Sequence, residues 1–72
     1  MLDDITLKAQ KIDIPTLIIW GDEDKIISVK NAYALHEHMK KSQLVILKGI
    51  GHMPMIEEPE VTAKHIMNFL ND

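Results

Sequence analysis

Two short, uninterrupted apolar runs constrain the fold of this 72-residue chain more than any other feature of its sequence. Residues 17–20 and 44–47 contain only apolar side chains, and both runs include β-branched residues. Strands without polar alternation are buried on both faces, which is typical of a parallel sheet. We therefore predict two parallel strands, at about residues 16–20 and 43–47.

Helical periodicity follows each apolar run. The spacing predicts a helix at about residues 31–40 and another at about residues 59–71. Lys40 and Lys41 are predicted in the last turn of the first helix, where cations suit the helix dipole. The element order is an α/β arrangement, βαβα, and two parallel strands joined by a helix form a right-handed unit. The predicted buried faces are Ala32, Leu35 and Met39 in the first helix, and Ala63, Ile66, Met67 and Leu70 in the second.

Composition excludes several classes of protein. The chain is long enough for one domain at most, and it has no cysteine for a disulfide or a thiolate metal site. A net charge of −3 argues against a nucleic-acid partner, because phosphate binding needs a basic surface. No apolar run approaches the roughly 20 residues of a transmembrane segment, and the acidic N-terminus is unlike a signal peptide. A cytoplasmic location is the default expectation.

Each predicted strand is followed by a loop that carries a titratable side chain. Asp24 lies four residues after Trp20, and His52 lies five residues after Leu47. Neighbouring parallel strands are about 4.8 Å apart and end at the same edge of a sheet, so the two loops could meet. A carboxylate beside an imidazole fixes its tautomer and stabilises the imidazolium formed during catalysis. The spacing alone leaves a second interpretation open, in which both side chains are solvent-exposed bystanders.

The segments around Asp24 and His52 resemble the α/β-hydrolase superfamily. IPTLIIWGDED at residues 14–24 looks like its penultimate strand and acid loop, and GHMP at residues 51–54 looks like its histidine loop. The resemblance extends through the closing helix and covers residues 12–71. Within the superfamily, the chain looks most like the monoacylglycerol-lipase and esterase branch. The resemblance implies that residues 1–72 are a single partial domain, the C-terminal part of this fold.

The resemblance implies a catalytic role for two residues. Asp24 matches the acid of the family's triad, and His52 matches the base that takes the proton of the nucleophile. Many members carry proline where this chain has Ser28. The family places its serine nucleophile in Gly-x-Ser-x-Gly before the acid, and neither Ser28 nor Ser42 sits in that motif. We therefore expect the chain alone to be inactive.

Other titratable and aromatic side chains have plainer interpretations. His36 and His38 are two residues apart on a helix, so their side chains point in different directions. We therefore interpret them as part of a solvent-exposed helix face rather than as a metal site. No metal and no cofactor are predicted. Trp20 is expected in the core, with its indole N–H bonded to a carbonyl. Asp22 and Glu23 are expected to be solvated loop charges, and helix N-terminal charge is the interpretation of Glu57, Glu58 and Glu60.

Two functions remain open at this point. The chain is either the acid-and-histidine part of a hydrolase acting on a small ester or a lipid, or a non-enzymatic module that associates with itself. Two strands with apolar faces make a marginal sheet in water and leave an open edge. We therefore predict a homo-oligomer, or association with an N-terminal part that carries the nucleophile.

Overall fold

The computed structural model describes residues 8–71, and the acidic N-terminus at residues 1–7 lies outside the described residues, as does Asp72. The α/β class and the βαβα order are confirmed, with a short extra helix before the last one. Each predicted boundary lies within two residues of the observed one. The elements are β1 (Thr16–Gly21), α1 (Lys30–His38), β2 (Ser42–Leu47), α2 (Pro54–Glu57) and α3 (Pro59–Leu70).

The two strands form a parallel pair in continuous register. Thr16 lies opposite Ser42 at one end, and Gly21 lies opposite Leu47 at the other. The ladder continues past the strands, because the backbone N–H of Asp22 donates to the carbonyl of Leu47 at 3.1 Å. The loops that follow β1 and β2 therefore start side by side at one edge of the sheet.

One face of the sheet packs against α1. The buried cluster contains Ala9, Ile18, Ala32 and Met39, and Ala32 is fully buried. The predicted apolar face of α1 is confirmed for Ala32, which is buried, and for Leu35, which packs against the cluster. Met39 is buried as well, but it lies just beyond the helix. Alternate strand residues point to opposite faces, so even-numbered positions supply the sheet side of this core. The partly buried side chains packed on the cluster are Trp20, Val29, Leu35, Leu44 and Ile46.

The end of α1 differs from the prediction. Lys40 and Lys41 do not lie in the last turn, because α1 ends at His38 and Met39 has extended dihedrals, φ −101° and ψ 105°. Met39 leaves the helix with its side chain buried, and its carbonyl accepts the hydroxyl of Ser42 at 2.8 Å. Lys41 instead pairs with Asp13 at 3.4 Å. Packing of Met39 and the tight return into β2 decide where the helix stops.

The predicted buried face of α3 is wrong for the described residues. Ile66, Met67 and Leu70 are 42%, 56% and 68% exposed. Thr62 is buried instead, and its hydroxyl donates to the carbonyl of Pro54 at 3.0 Å, which fixes the rotation of α3. The apolar stripe that the periodicity predicts is present on α3, but most of it is exposed within residues 8–71.

The strands are also less buried than their sequence predicts. In β1 only Ile18 and Gly21 are buried, and in β2 only Leu47 is buried. The other strand residues are half-buried, apart from the exposed Gln43. Each strand has one unpaired edge in the described sheet, because two strands give only one ladder. Within residues 8–71, no helix is long and apolar enough to cross a membrane.

Candidate active site

Asp24 is held by the backbone of its own loop. One oxygen of its carboxylate, Oδ1, accepts the N–H groups of Ile26 at 2.9 Å and of Ile27 at 2.8 Å. Asp residues favour such turns because the short side chain reaches backbone donors two and three residues ahead. The side chain of Asp24 is only 4% exposed. Its second oxygen remains available for a partner outside the loop.

Trp20 ties this loop back to the end of β1. The indole N–H donates to the carbonyl of Ile27 at 3.0 Å, and the ring packs on the core cluster. The predicted carbonyl partner of the indole is therefore confirmed. The carbonyl and the N–H of Ile27 are both bonded, to Trp20 and to Asp24, so the loop between them has a defined conformation.

The segment after β2, residues 48–53, is called the histidine loop below. Asp22 holds its start, since the carboxylate accepts the N–H of Gly49 at 2.8 Å. The N–H of Glu23 donates to the carbonyl of Ile50 at 3.0 Å. Asp22 is exposed, as predicted for a solvated loop charge, and it also serves as a structural acceptor.

Gly21 allows the two loops to approach this closely. A Cβ atom added at Gly21 would lie 2.1 Å from the carbonyl oxygen of Ile50 and 2.3 Å from that of Gly51. Both obstacles are backbone atoms, which cannot move aside as a flexible side chain would. Only glycine at the end of β1 fits against the histidine loop in this arrangement.

Glu57 holds the other end of the histidine loop. Its carboxylate accepts the N–H of Gly51 at 2.8 Å and the N–H of Met53 at 3.2 Å. The interpretation of Glu57 as a helix N-terminal charge is therefore incomplete. The two amides that it binds flank His52 in the chain.

These loops bring Asp24 and His52 together across 28 residues of sequence. His52 Nδ1 lies 2.9 Å from Asp24 Oδ2, as the parallel topology predicts. An ionised carboxylate can only accept a hydrogen bond, so Nδ1 carries the proton. In the neutral imidazole, Nε2 then presents a free lone pair. The side chain of His52 is 37% exposed, while that of Asp24 is almost fully covered.

The surroundings of Asp24 favour its charged form. Burial alone raises the pKa of the Asp24 carboxyl, but the hydrogen bonds from Ile27, His52 and Ile26 act in the opposite sense. Together with the attraction to the His52 imidazole they outweigh burial, so the pKa of Asp24 lies below its ordinary value. A carboxylate that stays ionised can hold the imidazole in one tautomer and stabilise its protonated form.

A small depression of about 160 Å³ opens beside the pair. Its walls combine the Asp24 and His52 side chains with apolar surface from Ile19, Trp20 and Met55. Apolar walls with a few polar groups are the usual composition of a small-molecule site. The depression therefore places the two titratable groups beside a small apolar surface.

The remaining histidines and the serines lie elsewhere. His36 Nδ1 lies 2.8 Å from Ser42 Oγ, and His38 Nδ1 lies 3.1 Å from Gln10 Nε2. Ser28 Oγ accepts the N–H of Lys30 at 3.2 Å. Within residues 8–71, neither serine hydroxyl is hydrogen-bonded to His52.

Comparison with known proteins gives consistent matches. A family model described as serine aminopeptidase, S33 (Hydrolase_4) matches residues 1–60. Monoacylglycerol lipase ABHD6 of Mus musculus is 42% identical over 60 residues, which are 83% of this chain and 18% of that protein. The chain therefore spans less than a fifth of the length of this curated relative.

Solved structures give matches of the same kind. A membrane phospholipase A superposes with a TM-score of 0.88 at 37% identity, over 93% of this chain and 22% of that one. A serine hydrolase involved in carbazole degradation (CarC) superposes with a TM-score of 0.86 at 35% identity, over 88% of this chain and 24% of that one. The family model matches most of this chain, residues 1–60. The chain therefore belongs to the serine aminopeptidase S33 family and is an α/β-hydrolase segment of the lipase and esterase branch.

Proposed function

We propose that Asp24 and His52 are the acid and the base of a serine-hydrolase triad, and that this chain supplies them to the reaction. The observation that carries the proposal is the 2.9 Å contact between Asp24 Oδ2 and His52 Nδ1 at the carboxyl edge of a parallel sheet. Active sites of open α/β sheets lie at that edge. The family to which the chain belongs uses this pair of residue types in this chain order.

The proposed chemistry follows from the protonation of His52. Nε2 takes the proton of the serine hydroxyl as the oxygen attacks the ester carbonyl, and the imidazole becomes doubly protonated. Asp24 stays ionised and stabilises that charge through Nδ1–H. The same Nε2 proton then passes to the leaving alcohol, and a water molecule releases the acyl group by the same cycle.

The nucleophile is proposed to come from outside these 72 residues. The sequence has two serines, and neither lies in Gly-x-Ser-x-Gly. The oxyanion hole of the family also uses backbone N–H groups of the nucleophile turn and an earlier loop. We therefore propose that residues 1–72 act as one partial domain that is inactive alone and gains activity by association with a segment that carries the serine.

The proposed substrate is a carboxylic ester, of lipid or small acyl type. Relatives at 34% to 42% identity include monoacylglycerol lipase ABHD6 and Lipase 1 of Psychrobacter immobilis, which supports this class. The apolar lining beside His52, from Ile19, Trp20 and Met55, suits an acyl chain better than a charged group.

A second candidate function is a self-associating module without enzymatic activity. Three exposed apolar side chains on α3, Ile66, Met67 and Leu70, favour it. So do the unpaired edges of β1 and β2, because unpaired strand edges template pairing with another chain. Under this candidate the same surfaces would join copies of this chain.

An ester-cleavage assay separates the two candidates. The chain is assayed alone, and mixed with an N-terminal part of ABHD6 that carries the serine and ends before the strand equivalent to β1. We expect turnover only in the mixture, and we expect His52→Ala to abolish it.

His38→Ala is the matched control, because His38 is bonded to Gln10 on α1's side of the sheet and should leave turnover unchanged. Turnover by the chain alone would contradict the proposed external nucleophile. No turnover in a mixture whose two parts bind each other would favour the self-associating module.

A further inference from the structure

We propose that Glu57 is the positioning residue of the site: its carboxylate clamps the backbone on both sides of His52 and so aims the imidazole at Asp24. The inference rests on the proposed function, since it assigns Glu57 a part in the same acid–base pair. It concerns a residue that touches neither the imidazole nor the Asp24 carboxylate in the described contacts.

The clamp uses both oxygens of one carboxylate. Oε1 accepts the N–H of Gly51 at 2.8 Å, and Oε2 accepts the N–H of Met53 at 3.2 Å. The Met53 N–H belongs to the peptide group directly after His52, and the Gly51 N–H belongs to the peptide group between Ile50 and Gly51. Holding these two groups limits the combined backbone freedom of Gly51 and His52, and therefore the direction of the His52 Cα–Cβ bond. Bonds to an ionised acceptor are the stronger kind of hydrogen bond.

Gly51 is shaped for this clamp. A Cβ atom added at Gly51 would come within 3.0 Å of Glu57 Oε2 and 3.3 Å of Glu57 Oε1. A side chain at that position would push the carboxylate away from the amide it binds. The close approach of the Glu57 head group and the missing side chain of Gly51 are thus two parts of one arrangement.

Glu57 is itself attached to the body of the fold. It is the last residue of α2, and its N–H donates to the carbonyl of Met53 at 2.9 Å. Pro54, which begins α2, is buried, and its carbonyl accepts the buried hydroxyl of Thr62. The Thr62–Pro54 hydrogen bond therefore joins α3 to α2, and the last residue of α2 carries the carboxylate that binds the histidine loop.

Neighbouring acidic residues separate this role from a general charge effect. Glu58 adjoins Glu57 in the chain and carries the same charge, close to the start of α3. Its carboxylate accepts no backbone N–H within the part of the chain that the structure describes. A helix-dipole effect would act through both residues, whereas the clamp acts through Glu57 alone.

Nuclear magnetic resonance on the 15N-labelled full chain tests the proposal without substrate. The variants are Glu57→Ala, Glu57→Gln and, as the matched control, Glu58→Ala. Two quantities are measured: the hydrogen-exchange rates of the Gly51 and Met53 amides, and the ring 15N shifts of His52, which report its tautomer. A glutamine keeps one acceptor oxygen, so Glu57→Gln should free only one of the two amides.

We expect Glu57→Ala to speed exchange of both amides about tenfold or more. We expect His52 to move from the Nδ1–H form toward the tautomer mixture of a free histidine. Glu58→Ala should change neither quantity. Unchanged His52 shifts in Glu57→Ala, or equal changes in Glu58→Ala, would overturn the proposal.

Loss of all ordered signals in both Glu57 variants would also overturn it, since Glu57 would then serve folding rather than the site. The readout involves no ester turnover. A failed complementation assay with intact clamp behaviour would count against the proposed function, while the positioning role of Glu57 would stand.

Discussion

Two regions of the chain differ in how far their contacts are satisfied: the sheet edge that carries Asp24 and His52, and the outer face of α3. At the edge, Asp24, Asp22 and Glu57 bind backbone amides of the two loops, and Asp24 meets His52 at 2.9 Å. On α3, by contrast, Met67 and Leu70 are more than half exposed. Polar contacts are satisfied where the site lies, and apolar contacts are left open where the helix faces away.

The difference separates two kinds of information in the sequence. The geometry of the edge depends on short loops and side chains that reach backbone donors within this chain. Burial of the α3 stripe depends on surface that residues 8–71 do not supply in this structure. The described residues therefore arrange the acid and the base, while the α3 stripe leaves apolar surface exposed to solvent.

The largest effect is expected from a substitution that disrupts the Asp24–His52 contact and leaves the fold intact. Asp24→Asn keeps the size of the side chain but replaces an acceptor oxygen with an amide, so His52 is no longer held with its proton on Nδ1. We expect turnover in the complemented assay to fall about 10⁴-fold. Asp13→Asn, which alters an exposed carboxylate paired with Lys41, is the control and should leave the rate unchanged. A loss of less than tenfold would contradict the role of Asp24.

The next prediction sharpens the contrast in packing. Ile18 is 8% exposed in the core between β1 and α1, whereas Leu70 is 68% exposed on α3. We expect Ile18→Ala to lower the free energy of unfolding by about 2–5 kcal/mol, since it leaves a cavity. For Leu70→Ala in a monomer, a change of about 0.5 kcal/mol or less is expected. Urea unfolding of both variants at one dilute concentration measures the difference.

Association between copies of the chain would change the effect expected for Leu70→Ala. If Leu70→Ala costs as much as Ile18→Ala, α3 is covered by a second copy under the conditions used. The same measurement at several protein concentrations detects such an association, because the apparent stability of an oligomer rises with concentration.

A glycine substitution tests the close contact between the end of β1 and the histidine loop. Gly21→Ala places a Cβ atom against the carbonyls of Ile50 and Gly51, so the histidine loop must move away from β1. We expect a loss of about 1–3 kcal/mol in unfolding free energy and a longer Asp24–His52 distance. Gly49→Ala is the comparison, since its φ of +74° costs a side chain about 1–2 kcal/mol without a backbone clash. Equal His52 spectra in Gly21→Ala and the parent chain would refute this contact.

The smallest expected effect concerns pH. The folded pKa of Asp24 lies below its unfolded value of about 3.9, so its contribution to stability is present above that pH. The contribution is lost as the pH falls through the lower folded pKa. We expect the stability difference between the parent chain and Asp24→Asn to be constant well above the unfolded pKa of about 3.9, and to shrink as the pH falls below that value. A difference that grows on acidification would show the opposite sign of the shift.

The approach of Asp24 and His52 could be predicted because it follows from topology. Two parallel strands end at one edge, so residues four and five positions beyond them share that edge. The buried face of α3 could not be predicted, since periodicity locates an apolar stripe but not the surface that covers it. Thr62, a polar residue, faces inward because it finds the Pro54 carbonyl, and no hydrophobic pattern signals that contact.

The supporting residues of the site left weaker signals. Glu57 lies five residues after His52, and at that distance a helix-start charge and a loop clamp look the same in sequence. Gly21 between a strand and an acidic loop indicates a turn, but its reason is the histidine loop, which is far away in the chain. Both roles depend on distances that only the folded structure supplies.

The ring nitrogens of His52 give the most direct test of the central claim, that this chain alone holds its acid and base in working geometry. The measurement is the 15N spectrum of the histidine side chains at neutral pH, in the parent chain and in Asp24→Asn. We predict that His52 is held with its proton on Nδ1 in the parent chain, and that Asp24→Asn releases it toward the tautomer mixture of a free histidine. A tautomer mixture at His52 equal to that of a free histidine in the folded parent chain would contradict the account.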